Sequence, residues 1–209
     1  RSYEKNPDDE NRLFYVGATR TKENLHIIEP NQEISKVTSQ KFGVNCFDHI
    51  SKLPRSLTPH VILFAIKPHF LDSVVPEFAR FSNKNPTFIS IAAGKAMRFF
   101  SERLSPDTAI VRAMPNTPAA VGRGITVVIK NEYTLKHQHE TAENLLSATG
   151  EICWITDESY MDSVTALSGG GPAYVFLLTE CLTKAGAELG LPQELSKRLA
   201  RVTVAGAGE

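Results

Sequence analysis

The strongest constraint in this chain is how its apolar runs stop. Residues 60–66, 87–93 and 108–114 are largely apolar, and a backbone breaker follows each: Pro68, Gly94 or Pro115. The run at 60–66 is continuous, which predicts a strand buried on both faces of a parallel sheet. Helix-period patterns follow at 71–81 and 97–104, with Pro76 a blemish in the first. Further strands are predicted at 25–28, 44–47, 124–129 and 151–155. Further helices are predicted at 32–42, ending near Gly43, and at 135–149. Asp48 to Leu53 reads as a helical turn stopped by Pro54. Strand–helix alternation of this kind implies an α/β fold with a parallel, doubly covered sheet.

The sharpest break follows the third run. Pro115 and Pro118 bracket Asn116 and Thr117. Proline fixes φ and disfavours helix at the residue before it, so Met114 and Thr117 are predicted extended. A rigid loop at the carboxyl end of a parallel strand lies on the edge where α/β sheets bind ligands. From it Asn116 offers a planar amide and Thr117 a hydroxyl.

After Thr156 no strand signal remains. Residues 160–167 read as helix, and Ser168-Gly169-Gly170-Gly171 reads as a flexible hinge before Pro172, a good first helical residue. Residues 173–189 form a long helix capped by Gly190, and Pro192 opens the last one. Leu177, Leu178, Cys181, Leu182, Ala185 and Leu189 leave that long helix little polar face. It should be buried in a core or against a second subunit. The organisation expected is an N-terminal segment 1–26, an incomplete dinucleotide-binding unit 27–157 and a partial helical unit 158–209. The chain opens on Arg1 and the final helix has no clear finish, so it reads as a fragment.

Composition narrows the classes. The 23 basic and 23 acidic residues cancel, which argues against a broad nucleic-acid or membrane-surface footprint. No run reaches the roughly 18–20 apolar residues of a membrane span, and the first residues are polar, unlike a signal peptide. Cys46, Cys153 and Cys181 are far apart and odd in number, so reduced, mostly buried thiols in a cytoplasmic protein are expected. No metal site is expected: His137 and His139 would diverge around a helix and sit on solvated faces.

Four stretches, taken in order, resemble pyrroline-5-carboxylate reductases. They are Ala65-Ile66-Lys67-Pro68, Ile91-Ala92-Ala93-Gly94, the 111–118 stretch through Pro115-Asn116-Thr117-Pro118, and 162–176 through Ser168-Gly169-Gly170-Gly171-Pro172. The resemblance covers roughly residues 27–209. It implies a Rossmann domain followed by an all-helical dimerisation domain, a homodimer or larger homo-oligomer, and NADP or NAD as cofactor. The implied reaction passes a hydride from NAD(P)H to the C=N carbon of a small imine, 1-pyrroline-5-carboxylate, giving proline. That chemistry needs positioning and water exclusion rather than a metal or nucleophile.

By the same resemblance Ala65, Lys67 and Pro68 lie along the cofactor, Ala92 and Ala93 beside it, and Asn116 and Thr117 at its nicotinamide end. Asn31, with Glu29, falls where the family reads the adenosine ribose, and Glu29 weakly favours NADH by repelling a 2′-phosphate. Ser168, Gly169, Gly170 and Gly171 approach the substrate carboxylate. The family commonly has S-G-S-G there, so Gly170 removes one hydroxyl.

The N-terminal segment differs. Leu13-Phe14-Tyr15-Val16-Gly17-Ala18-Thr19-Arg20 resembles motif VI of superfamily 1 DNA helicases, where Arg20 would stabilise a γ-phosphate. No G-x-x-x-x-G-K-[ST] accompanies it, because Ile89 and Ala96 spoil the near match at Gly94-Lys95. A helicase fragment and a non-catalytic dimerisation remnant are the alternative functions. The reductase family opens with a central strand and G-x-G-x-x-G, which this sequence lacks. The family's S-P-G-G-T-T substrate segment is also missing past Gly208. Poor NAD(P)H binding and negligible turnover are expected.

Overall fold

The computed structural model describes residues 25–28 and 32–208. Arg20 and the rest of the helicase-like stretch, with Gly17, Glu29 and Asn31, lie outside the described residues.

A short strand, β1 (His26–Ile28), leads to helix α1 (Gln32–Phe42). Gly43, at φ +63°, turns the chain out of that helix into β2 (Asn45–Phe47), which pairs parallel with β1. A positive φ costs glycine nothing, so the predicted helix stop is met. Asp48 to Leu53 tightens into a 3₁₀ turn at Ile50–Lys52, which His49 caps by accepting the Ser51 N–H.

The main sheet has five strands in the order β3 (Val61–Phe64), β4 (Thr87–Ser90), β5 (Ile110–Met114), β6 (Gly124–Lys130) and β7 (Gly150–Trp154). β3, β4 and β5 run parallel, as the alternation predicts. β6 departs from that pattern and runs antiparallel to β5, pairing Met114 with Val127. The link between them is one 3₁₀ turn, Thr117–Val121, far short of the dozen or so residues a parallel crossover needs. β7 follows helix α4 (Lys136–Leu146) and is again parallel to β6.

Side chains alternate between the two faces. On one face Phe64 stacks on Phe88 and Phe100, at 6.1 and 5.8 Å, and meets Phe78 edge-on at 5.3 Å. Fully buried Leu71 and Val75 close this cluster. On the other face Ile89, Val111, Ala113 and Val128 pack with Ala142 and Leu146 of α4.

Three local readings change. Helix 71–81 is α-helical only over α2 (Leu71–Val74) and continues as 3₁₀ helix over Val75–Lys84. Pro76 has no N–H for an i→i−4 bond and its ring crowds the preceding turn. Leu63 is 41 % exposed, so the second face of β3 is only partly covered, where Val61 packs on the Ile89–Val111 cluster. β3 is the edge of its sheet, and among the described residues no strand joins it to the separate β1–β2 pair. The thiols also differ from expectation: Cys153 and Cys181 are exposed and Cys46 half-buried. Cys153 sits on edge strand β7, and Cys181 on an uncovered helix.

The helical C-terminal part starts at a 3₁₀ turn, Glu158–Tyr160, and continues through α5 (Met161–Val164) and a π-helical turn, Thr165–Gly169. Helices α6 (Gly171–Glu188) and α7 (Gln193–Ala207) follow and pack on each other. The Ser168–Gly171 stretch is therefore continuous helical backbone rather than a hinge. Gly170 has φ −83° and ψ −26°, and its N–H donates to Thr165 O at 2.8 Å. α6 is not buried by the described residues: Tyr174, Phe176, Leu177 and Leu178 are all more than half exposed. Met161, 1 % exposed, anchors the whole segment against Val127 and Ile129 of β6.

Candidate functional site

Because β3, β4 and β5 are parallel neighbours, their carboxyl ends fall on one edge of the sheet. The Ile91 N–H donates to Phe64 O at 3.2 Å, which ties the loops after β3 and β4 together. Ala65 is half-buried there, while Lys67 and Pro68 are exposed at the start of a 3₁₀ turn. Among the described residues Lys67 has no ion-pair partner. Ala92 is buried, Ala93 half-buried, and Gly94 turns the chain away at φ +73°. Asn116 and Thr117 follow β5, two strands or about 10 Å from Lys67. Those two loops lie on the same edge with the loop after β4 between them, so a ligand that meets both is elongated.

Asn116 is held at both ends of its amide. Its Oδ1 accepts the Ile125 N–H at 3.0 Å, and its Nδ2 donates to Ser168 Oγ at 3.3 Å. The first bond fixes the 115–123 loop to β6. The second brings Ser168, from the helical part, to the sheet edge. Gly169 completes the seam: a Cβ there would lie 2.5 Å from Met114 Cε, the end of a flexible side chain that would have to turn aside. Gly171 has no atom within 4 Å of such a Cβ and opens α6 freely. Thr117 is exposed beside this seam.

Three residues of this region were missed in the sequence. Arg112, in the middle of β5, is only 6 % exposed. Its Nη1 donates to Glu158 Oε1 at 3.0 Å, and Nη2 lies 3.9 Å from Asp162 Oδ1. The same Glu158 oxygen accepts the Met97 N–H at 2.8 Å, where helix α3 (Met97–Ser101) begins. With Gly94, Ala96 and Ser159 these residues line a cleft of about 320 Å³. An arginine inside an apolar strand was the available signal, since a buried guanidinium demands a partner. Next to it, hydrogen bonds from Ser159 hold the Asp157 carboxyl below its usual range.

Nearby, Asp72 accepts from Lys95 and Arg103, each at 2.9 Å, and Lys95 foremost keeps its carboxyl below the ordinary value. A second groove of about 410 Å³ lies between α1 and the end of β2, lined by Gln32, Lys36, Asp48 and Lys52 among others. His137 is exposed, but His139 stacks on Trp154 at 4.0 Å, so only one of the two is a solvated helix residue. Among the described residues no three His, Cys, Asp or Glu cluster as metal ligands, and no helix is long and apolar enough to cross a membrane.

A pyrroline-5-carboxylate reductase from Corynebacterium melassecola is 33% identical over 196 residues, which cover 92% of this chain and 71% of that protein. The chain belongs to the pyrroline-5-carboxylate reductase family. Residues 158–209 match the family's description of pyrroline-5-carboxylate reductase dimerisation. The structure of the reductase from Coxiella burnetii superposes with a TM-score of 0.84 at 31% identity, over 96% of this chain and 75% of that one. The Plasmodium falciparum reductase, solved with NADP bound, gives 0.77 at 29% identity, over 95% of this chain and 73% of that one. None of these relatives supports the helicase resemblance. The fold follows the family's order: a Rossmann-like sheet and then a helical part.

Proposed function

We propose that this chain carries the site of an NAD(P)H-dependent imine reductase, which reduces 1-pyrroline-5-carboxylate to proline. Membership of the family supports the reaction. The observation that carries the site is the Asn116–Ser168 hydrogen bond, because it joins the sheet edge to the helical part at one point. The reaction adds a hydride to the imine carbon and leaves a proton on the nitrogen, so it depends on alignment and exclusion of water.

The residues present fit the nicotinamide half of a dinucleotide. Ala92 and Ala93 are small, which lets a flat ring approach the end of β4, and Asn116 presents a locked amide next to it. Thr117 offers its hydroxyl on the same loop. Lys67 supplies an exposed charge for phosphate or ribose, with Ala65 and Pro68 setting the backbone around it. Asn31 is assigned to the adenosine ribose. NADP or NAD, in reduced form, supplies the hydride when bound. The pyrophosphate half fits less well, since the sequence has no G-x-G-x-x-G to aim backbone N–H groups at it. Weak cofactor affinity follows from that: turnover is negligible at micromolar NADPH and rises to a measurable rate at millimolar NADPH.

Ser168, Gly169, Gly170 and Gly171 are assigned to the substrate. The first donates or accepts through its hydroxyl, and the glycines leave room for a small carboxylate at the start of α6. The apolar face of α6, with Phe176, Leu177 and Leu178 exposed, is assigned to a homodimer or larger homo-oligomer. Free thiols and zero net charge favour the cytoplasm. Imine-dependent oxidation of NADPH by the full chain, followed by the absorbance of the reduced nicotinamide, tests the reading. Asn116→Ala is expected to lower the rate by roughly 10-fold or more. An inert wild-type protein at millimolar NADPH and imine would refute it.

A further inference from the structure

Arg112 and Glu158 stand outside every role assigned so far, yet they join three separate pieces of the molecule. Arg112 projects from the same face of β5 as Met114, two residues along. That face also carries Val127 and Ile129 of β6, on which Met161 is buried. The segment from Glu158 to Gly169 therefore lies along this face. It is tied at one end by Arg112 to Glu158 and Asp162, and closes at the other where Gly169 meets Met114. Glu158 also holds the N–H of Met97, which follows the Gly94 turn after β4.

From this arrangement we infer that Arg112 and Glu158 are positioning residues, setting the register in which the helical part lies on the sheet and so delivering Ser168 to Asn116. The inference rests on the imine-reductase reading for its kinetic consequence, but not for its structural one. Two observations make the pair suited to the task. Arg112 is nearly fully buried with Glu158 in place, so a segment displaced along the sheet leaves the guanidinium short of its carboxylate. Glu158 uses one oxygen for two donors from different elements, Arg112 in β5 and Met97 at the start of α3, so only one placement satisfies both. Three groups face the guanidinium region from the packed elements: Glu158 and Asp162 on the helical segment, and Ser90 opposite on β4. No further anion is required there.

The test uses the full chain with Glu158→Leu, Glu158→Gln and the paired change Arg112→Met with Glu158→Leu. Two readouts are taken on each: steady-state imine reduction, and the NMR signals of the Asn116 side-chain amide. Glu158→Leu is expected to lower the imine-dependent rate at millimolar NADPH roughly 10- to 100-fold, and to shift the Asn116 amide signals. Glu158→Gln keeps an acceptor oxygen for Arg112 and the Met97 N–H, so it should restore both readouts to near wild type. The paired change removes the stranded charge, so it should fold stably while leaving the Asn116 signals displaced. The inference is overturned if the Asn116 signals stay at their wild-type positions in a folded Glu158→Leu or paired variant. An unfolded Glu158→Leu protein passes the decision to the paired variant. If the wild-type chain reduces no imine, the functional reading fails by itself, and the amide signals still decide the positioning role.

Discussion

Gly150 opens β7 in a backbone conformation that other residues avoid, and replacing it with alanine puts the sheet's construction to a quantitative test. Its φ is +132° and ψ −142°. For a residue with a Cβ, holding that conformation costs about 1–3 kcal/mol. Space adds a second cost. A Cβ built there overlaps Gly124 O and lies 2.7 Å from Gly124 N, the residue opposite it in register. The obstacle is backbone in a paired strand, so no side-chain rotation relieves it. Overpacking of this kind adds about 1–3 kcal/mol. A loss of about 2–6 kcal/mol is a large share of the roughly 5–15 kcal/mol that stabilises a folded domain. For a chain of this size it corresponds to a fall in Tm of about 5–20 °C. Thermal unfolding followed by the fluorescence of Trp154, the single tryptophan and a residue of the same strand, measures it. Gly206→Ala is the control. It sits in helix α7 with nothing within 4 Å of the new methyl, and should gain up to about 1 kcal/mol. The reasoning is refuted if Gly150→Ala melts within about 2 °C of the parent, or if Gly206→Ala falls as far.

Other consequences can be checked separately. Leu178→Glu, on the exposed face of α6, should turn a dimer into a monomer in light scattering without loss of helix content; an unchanged mass would reject that face as the interface. Asp72→Asn should lower Tm at about pH 6, because Lys95 and Arg103 depress the native carboxyl's pKa and so favour the folded state above the unfolded value of about 3.9. That gap should close as the pH falls through the depressed value, and a gap that does not change with pH would exclude the ion pairs as its cause. NADPH titration should show no saturation below roughly millimolar concentration, because this sequence has no G-x-G-x-x-G; a Kd near a micromolar would show that other residues hold the pyrophosphate.

Much of this architecture was legible in the residues. Pro68, Gly94 and Pro115 mark where strands end, and parallel pairing then puts the loops after them on one edge. What escaped depends on partners distant in sequence. An apolar run such as 60–66 looks the same whether its sheet continues past it or stops, so the exposure of Leu63 could not be read locally. The direction of β6 was readable from the short 115–123 link, had link length been weighed above strand–helix alternation. The glycines at 169–171 looked like freedom, whereas they lie in helical backbone, with Gly169 against Met114, far away in the chain. Arg112 carried a signal in being charged within a strand, but nothing nearby identified Glu158 as its partner. Which residues of the candidate site touch a ligand depends on shapes that the apolar pattern does not encode.

The bond between Asn116 and Ser168 spans 52 positions of chain, and the Met97–Glu158 bond spans 61. Such contacts close only after β6, α4 and β7 have found their places, because the entropy of a long loop must be overcome before its ends meet. During synthesis the first half of the chain emerges well before Ser168 exists, at roughly 5–20 residues per second. The loop after β5 is thus made early and completed late. Closure of the seam is therefore expected late in folding, after the sheet on which it depends.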